Sequence, residues 1–325
     1  MINLIFFYVF FIIILFYIFL YKFEIPLLFK KPDGRGFHSV PISQLGGVLI
    51  YISIFSFLII VNFFDKLDFI YLKFFFIITP LLIITFLDDI KSLSILIRLI
   101  SQFIIISLLI YFVFEINIDN IWFYFYLLFL LIFLNFYNFM DGVNGYVSSN
   151  IITIIVSYSL FFYIKDSYYN IFDIIILLPI IVFFIFNFCF KKVFLGDTGS
   201  ILLSLLLFFY LYEILKLNYL SFYEVIIILN LYLIDGFTNL IYRFINKENI
   251  FIAHRKHFYQ IISEKFNHVF TNFFQLSYNL IIFLFICLIK LTGNHLFYYF
   301  IIFQIIITTL LVIYFRVIYE KYQNI

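Results

Sequence analysis

Residues 69–91 read FIYLKFFFIITPLLIITFLDDIK, one long apolar segment that ends in two adjacent carboxylates. A helix needs roughly 20 mainly apolar residues to cross the hydrocarbon of a bilayer. The run from Phe69 to Leu87 meets this requirement, and Asp88 and Asp89 follow directly at its end. The stretch therefore predicts a membrane-spanning helix with acidic groups at the membrane boundary.

The same apolar pattern recurs along the whole chain of 325 residues, of which 66% are hydrophobic and 12% charged. Soluble domains are about one-quarter charged. About eleven runs are long enough to span a bilayer. They are Ile2–Tyr21, Leu45–Val61, Phe69–Leu87, Ile95–Phe114, Ile121–Phe136, Val147–Ile164, Ile171–Phe190, Ser200–Leu217, Phe222–Ile241, Phe274–Leu291 and Phe297–Ile318.

Backbone amides in lipid must be hydrogen-bonded within the protein, which favours helices. We therefore predict an all-α, polytopic membrane protein that forms one integral-membrane domain over residues 1–325. Its solvent is the lipid bilayer, and its net charge of +2 is too small to predict nucleic-acid binding. The apolar helices give no prediction of the oligomeric state.

Lysine and arginine are distributed unequally between the two sets of alternate loops and their flanks. The rich set contains Lys22, Lys30, Lys31, Arg35, Lys91, Arg98, Lys191, Lys192, Arg243, Lys247, Arg255, Lys256, Lys265, Arg316 and Lys321, and the other set contains only Lys66, Lys73, Lys165, Lys216 and Lys290. Positively charged loops stay in the cytoplasm. We expect the rich set to be cytoplasmic and the first helix to be retained, with its N-terminus outside.

Two polar motifs fall at the predicted cytoplasmic ends of α-helical runs. Asp88 and Asp89 can bind Mg²⁺ or act as a base, or can simply end a solvated helix. Asn135, Asn138 and Asp141 recur every three residues, so on a helix they share one face. Their amide and carboxylate oxygens suit Mg²⁺, and a purely structural role is the alternative.

Asp197 lies in the glycine-flanked stretch LGDTGS at residues 195–200 and opens the next predicted helix. The free N–H groups of a helix N-terminus favour a metal–phosphate site, and the alternative is that Asp197 or Thr198 caps the helix. Asp235 lies within an apolar run. An acid there is a candidate functional residue, or a structural partner of a cation such as Arg243.

Two basic segments complete the set. The first, which contains Lys31 and Arg35, can meet phosphate or anchor the membrane face. The second is the HRKH stretch at residues 254–257, where His254, Arg255 and His257 can bind metal, relay a proton or grip phosphate. The alternative is an ordinary basic loop.

All these motifs lie on the side that the cations assign to the cytoplasm. A transporter places its acids near the bilayer midplane, on broken helices. We therefore predict an enzyme with its active site at the cytoplasmic face. A secondary transporter or a flippase of lipid-linked sugars is the alternative.

The motifs resemble those of the polyprenyl-phosphate N-acetylhexosamine-1-phosphate transferase family, also called glycosyltransferase family 4. The resemblance runs from Lys31 to Gln260 in the family's motif order. It rests on Asp88-Asp89, Asn135–Gly145, Leu195–Ser200 and the loop from His254 to His257. That loop is similar to the branch that uses UDP-linked N-acetylated sugars for O-antigen and other surface glycans.

The resemblance implies transfer of a sugar-1-phosphate from a UDP-N-acetylhexosamine, such as UDP-N-acetylglucosamine, to undecaprenyl or another polyprenyl phosphate. It implies an enzyme of the bacterial inner membrane that initiates cell-envelope glycan synthesis with Mg²⁺ as its cofactor. The implied roles are metal binding by Asn138 and Asp197, catalysis by Asp88, Asp89 and Asp141, and substrate binding by Asn135, His254, Arg255, His257, Lys31 and Arg35.

The chain departs from the family pattern at three places. Asn144 stands where many members carry a second aspartate, Gln44 stands where a cation is common, and Gly36-Phe37 replaces a more polar pair. The loss of one carboxylate at Asn144 leaves a catalytically inactive family member as a further alternative.

Overall fold

The computed structural model describes residues 2–21, 29–30, 42–65, 67–167, 170–248, 256–293 and 297–323. Helices dominate this part of the chain, which confirms the prediction of an all-α polytopic membrane protein. The helices are α1 (Ile2–Tyr21), α2 (Gly46–Asp65), α3 (Phe69–Lys91), α4 (Ile95–Phe112), α5 (Ile121–Phe139), α6 (Tyr146–Asp166), α7 (Ile171–Phe184), α8 (Gly196–Lys216), α9 (Phe222–Ile228), α10 (Asn230–Ile245), α11 (Phe258–Lys265), α12 (His268–Thr292) and α13 (Phe297–Gln323).

Two short elements interrupt the helical pattern. The strands β1 (Phe29–Lys30) and β2 (Ile42–Ser43) pair antiparallel, and α7 continues into a π-helical turn at Ile185–Cys189. Ten of the eleven predicted spans each overlap one helix, and the ninth overlaps two. Among the described residues nine helices are long and apolar enough to cross a membrane, or ten if α9 and α10 form one bent span.

The ninth predicted span is the one that differs from expectation. The run Phe222–Ile241 was expected to form a single helix, but the chain bends by 71° between α9 and α10. Leu229 lies at the bend, and the buried Asn230 begins α10. Polar groups are tolerated at such a break because protein, rather than lipid, surrounds them.

The helices group into two compact units. Among the described residues, unit one comprises 2–21, 29–30, 42–65, 67–138 and 170–205, and unit two comprises 139–167, 206–248, 256–293 and 297–323. A single domain over residues 1–325 stays a prediction.

In unit one, α2 packs on α7 and α3 packs on α4. The backbone N–H groups of Gly46 and Gly47 donate to the carbonyls of Phe194 and Leu195, at 3.0 and 2.9 Å. A Cβ on Gly47 would collide with the backbone of Gly199, so α2 and the first turn of α8 approach at a distance that only glycine permits. This contact fixes the segment that carries Asp197.

In unit two, α12 packs on α6, and α13 packs on α10 and α12. Polar side chains join these helices. The Ser149 hydroxyl lies 3.0 Å from Asn272 Oδ1 and 3.1 Å from Gln275 Oε1, and Gln275 Nε2 donates to the Tyr232 hydroxyl at 2.6 Å. The network ties the start of α6 to α10 and α12.

Candidate active site

Asp88 lies near the end of α3 in unit one, and its side chain is only 6% exposed. Its Oδ1 accepts the backbone N–H of Leu93, and its Oδ2 accepts from Arg98 Nη1 at 3.1 Å. Ser92 adopts a left-handed conformation that ends the helix, so the chain turns back toward the carboxylate. Asp88 is therefore held between the α3–α4 link and the first turn of α4.

Asp89 is directed at the N-terminus of α8. Its Oδ1 accepts the backbone N–H of Asp197 at 2.9 Å, and its Oδ2 accepts the backbone N–H and the hydroxyl of Thr198 at 3.1 and 2.8 Å. A negative group is favourable there, because the free N–H groups and the helix dipole both attract it. The sequence allowed a phosphate or a local cap at this position, and the structure places the Asp89 carboxylate on two of those N–H groups.

Arg98 links the two acidic motifs. Its Nη1 lies 3.1 Å from Asp88 Oδ2 and 3.7 Å from Asp197 Oδ2. The Asp197 side chain is 40% exposed, so it is the more accessible of the two carboxylates. Sequence reasoning used Arg98 only as an orientation signal and missed this contact. The available signal was a cation in the first turn of the helix that follows the acidic pair.

Asn138 lies beside the same turn of α8. The Ser200 hydroxyl is 2.6 Å from Asn138 Oδ1 and 3.1 Å from the Asp197 carbonyl. One turn earlier on α5, Asn135 Nδ2 donates to Gln102 Oε1 at 2.8 Å. In unit one the structure thus brings Asn138, Asp197 and the acidic pair to one place, with Asn135 directed toward α4.

Asp141 does not continue the helical face of Asn135 and Asn138. The expectation was one helix through all three residues, but α5 ends at Phe139 and Asp141 lies in the turn before α6. Gly145, with φ of +82°, ends that turn in a left-handed conformation. Such a backbone favours glycine, because a Cβ there would meet the following carbonyl.

In unit two, α11 packs on this turn. The Tyr259 hydroxyl donates to the Phe139 carbonyl at 2.9 Å, and its ring stacks on Tyr146 with centroids 4.9 Å apart. Burial raises the pKa of Tyr259 well above its usual value, so the phenol stays a hydrogen-bond donor at neutral pH. A Cβ on Gly142 would collide with that hydroxyl.

His257 immediately precedes α11 and is buried. Its ring centroid lies 6.1 Å from that of Phe139. The motif around Asp141 and the end of the histidine loop, which are more than a hundred positions apart in sequence, therefore meet within unit two. His257 itself lies outside the helix, because α11 begins at Phe258.

Four of the predicted substrate-binding residues lie outside the described residues: Lys31, Arg35, His254 and Arg255. Their roles stay predictions.

Asp197 and Asn138 carry a carboxylate and an amide oxygen, the ligand types that a hard cation such as Mg²⁺ binds. Mg²⁺ prefers carboxylate and amide oxygens and keeps several of its waters, so it needs few protein ligands. In the described part of the chain no group of three or more His, Cys, Asp and Glu residues could hold a metal.

The family model described as glycosyl transferase family 4 matches residues 71–214. The match covers α3 to most of α8, and so includes Asp88, Asp89, Asn138 and Asp197. It supports a membrane transferase that moves a phospho-sugar to polyprenyl phosphate. No curated protein matches the chain.

Proposed function

Because residues 71–214 belong to glycosyl transferase family 4, we propose that the chain transfers an N-acetylhexosamine-1-phosphate from a UDP-sugar to polyprenyl phosphate. The observation that carries this proposal is the cluster of Asp88, Arg98 and Asp197 at the start of α8, inside the matched segment. It combines an exposed carboxylate with a cation, the two kinds of group that a metal-bound diphosphate needs.

The reaction is a displacement at phosphorus. An oxygen of polyprenyl phosphate forms a bond to the β-phosphorus of the UDP-sugar, and the bond from that phosphorus to the oxygen bridging the α-phosphorus breaks. The electron pair leaves with UMP, and the product is a polyprenyl-diphospho-sugar. An alternative route has an aspartate attack first and form a phospho-sugar enzyme intermediate.

Asp197 and Asn138 would hold Mg²⁺, which neutralises charge that develops on the leaving phosphate. Asp88 is the better candidate for the base. One of its oxygens pairs with Arg98, and Arg98 also contacts Asp197. A substrate phosphate that binds the Arg98 guanidinium would therefore free this Asp88 oxygen to accept a proton. Asp89 makes three hydrogen bonds to α8 and is assigned to holding that helix in place.

Arg98 would release the carboxylates and bind donor phosphate when substrate arrives. The proposal keeps the predicted substrate-binding roles of Asn135, His254, Arg255, His257, Lys31 and Arg35 and the predicted assisting role of Asp141. The histidine loop favours UDP-N-acetylglucosamine or another UDP-N-acetylhexosamine, and a product that begins O-antigen or a related cell-wall glycan in the bacterial inner membrane.

The test is a transfer assay on membranes that contain the chain. They are given undecaprenyl phosphate, Mg²⁺ and radiolabelled UDP-N-acetylhexosamines, one donor at a time. We expect label in the lipid fraction with one donor, loss of that label with EDTA, and a loss of about 100-fold or more for Asp197→Asn and Asp88→Asn.

Asp68→Asn is the matched control. Asp68 caps the other end of α3, and asparagine caps helices equally well, so this variant keeps its activity. Equal activity of Asp197→Asn and Asp68→Asn would contradict the assignment. Absence of transfer from folded protein with every donor would favour an inactive family member and would make Asn144→Asp the first reversion to make.

A transporter or flippase is the second candidate, because the bend between α9 and α10 beside the buried Asp235 is a feature of transporter sites. Proteoliposomes loaded with a fluorescent lipid-linked sugar distinguish the two. Sugar movement across the bilayer without release of UMP would favour the second candidate.

A further inference from the structure

We propose that Asp235 and Arg316 form a clamp that fixes residues Lys256–Phe258, and thereby position His257 for the transfer reaction. The positioning role rests on the proposed function, whereas the clamp itself does not. Both residues lie in unit two, Asp235 on α10 and Arg316 on α13.

The clamp acts on three consecutive residues. Asp235 Oδ1 accepts the backbone N–H of Phe258 at 3.0 Å and lies 3.4 Å from His257 Nδ1. Arg316 Nε donates to the Lys256 carbonyl at 3.2 Å, and its Nη2 donates to Asp235 Oδ1 at 3.2 Å. One carboxylate oxygen thus joins α10, α13 and the N-terminus of α11.

Burial makes this arrangement a positioning device. The side chains of Asp235 and Arg316 are 3% and 2% exposed, so the described structure leaves neither open to a UDP-sugar. The expected structural partner of Asp235 was Arg243, but Arg243 pairs with Glu248 at 3.5 Å, and Asp235 pairs with the cation from α13. Breaking such a pair leaves an uncompensated buried charge, so the two groups hold each other in place.

The consequence for His257 is a fixed orientation. Asp235 Oδ1 lies beside Nδ1 of the ring, and the His257 side chain also forms a capping box with Gln260 in the first turn of α11. The Tyr259 contact to the Phe139 carbonyl holds the next turn of α11. Rotation of the ring would separate Nδ1 from Asp235.

The experiment uses the full chain in lipid nanodiscs and two readouts. Deuterium uptake of peptides covering residues 256–266 reports the clamp without reference to activity. For Asp235→Asn we expect exchange of the Phe258 amide to rise by about tenfold, because a hydrogen bond to a charged acceptor is lost. Arg316→Met is expected to give the same increase, because it releases the Lys256 carbonyl.

A double-mutant cycle reports the positioning role. Asp235→Asn should lower kcat by about tenfold with little change in KM, and should change kcat by less than about twofold once His257→Ala is present, because residues in contact are coupled. The same four proteins are also compared by their dissociation constants for UMP, which can be measured even if no sugar is transferred.

Lys290→Met is the matched control. It breaks the buried ion pair with Glu224 in the same unit, at 2.9 Å, and should lower the melting temperature without altering uptake at residues 256–266.

Unchanged uptake in Asp235→Asn would overturn the clamp. If uptake rises but the effects of Asp235→Asn and His257→Ala on kcat simply multiply, the positioning role is overturned. If no sugar is transferred, but uptake rises and the two substitutions are coupled in UMP binding, the proposed function is rejected and the clamp is retained.

Discussion

Asp89 and Asp68 both accept N–H groups at helix N-termini, but a substitution by asparagine should affect them differently. Asp68 accepts one N–H of its own helix through one oxygen, whereas both Asp89 oxygens accept from α8. An asparagine has only one acceptor atom. At position 89 its Nδ2 would face a donor of Asp197 or Thr198.

We predict that Asp89→Asn lowers the free energy of unfolding by about 1–3 kcal/mol, the cost of an unsatisfied buried group. Asp68→Asn should change it by less than about 0.5 kcal/mol, since both residues cap well. Thermal unfolding in detergent measures the difference. Equal melting temperatures of the two variants would show that the contact of Asp89 with α8 contributes nothing.

Arg98 carries the second prediction at this scale. Arg98→Met removes the cation shared by Asp88 and Asp197, and we expect transfer to fall by about 100-fold. Arg98→Lys keeps the charge but loses the planar fork that reaches two carboxylates, so it should recover only part of the rate. The initial rate at saturating UDP-sugar is the measurement. Full activity of Arg98→Met would remove it from the site.

The acidic residues of the site could be selected from sequence, but their partners could not. Asp88, Asp89 and Asp197 stand out because charge at the end of an apolar run is costly. The bond between Asp89 and the Asp197 N–H joins positions 108 apart, and no local pattern encodes it. Asp235 was recognised in the same way, while its pairing with Arg316 depends on how α10 and α13 pack.

At the scale of elements, α2 and α8 approach through two glycines. A Cβ at Gly47 would overlap the backbone of Gly199, which a side-chain rotation cannot relieve. We predict that Gly47→Ala costs about 1–3 kcal/mol of stability and lowers transfer, because it displaces the turn that carries Asp197. Ser56→Ala, further along α2, is the control and should change neither melting temperature nor rate. A neutral Gly47→Ala would show that the two helices are not closely packed.

Helix positions follow from hydropathy, and helix breaks do not. Asn230 alone interrupts the apolar run at the bend, and a single amide is too weak a signal to predict that α9 and α10 separate there. The short helix α11 was not predicted either, because its eight residues directly follow a segment whose charges suggested a basic loop. Both features are stabilised by distant groups: Glu224 at the start of α9 accepts from Lys290, and Asp235 accepts from the start of α11.

The orientation in the membrane is a property of the whole molecule, and the positive-inside bias makes it testable. In a background carrying Cys189→Ser and Cys287→Ala, we predict that a cysteine introduced by Lys192→Cys reacts with an impermeant maleimide only in inverted vesicles. One introduced by Asn218→Cys, in the next turn along the chain, should react only from the outside of intact cells. The opposite pattern would place the candidate active site on the external face.

We propose that this molecule converts polyprenyl phosphate and a UDP-sugar into a polyprenyl-diphospho-sugar and UMP. The most direct measurement is mass spectrometry of the lipid and nucleotide products from the purified chain, with the donor panel, Mg²⁺ and undecaprenyl phosphate. We expect equimolar undecaprenyl-diphospho-N-acetylhexosamine and UMP, with both products lost in Asp197→Asn and retained in Asp68→Asn. Release of UDP in place of UMP, or equal product from both variants, would contradict it.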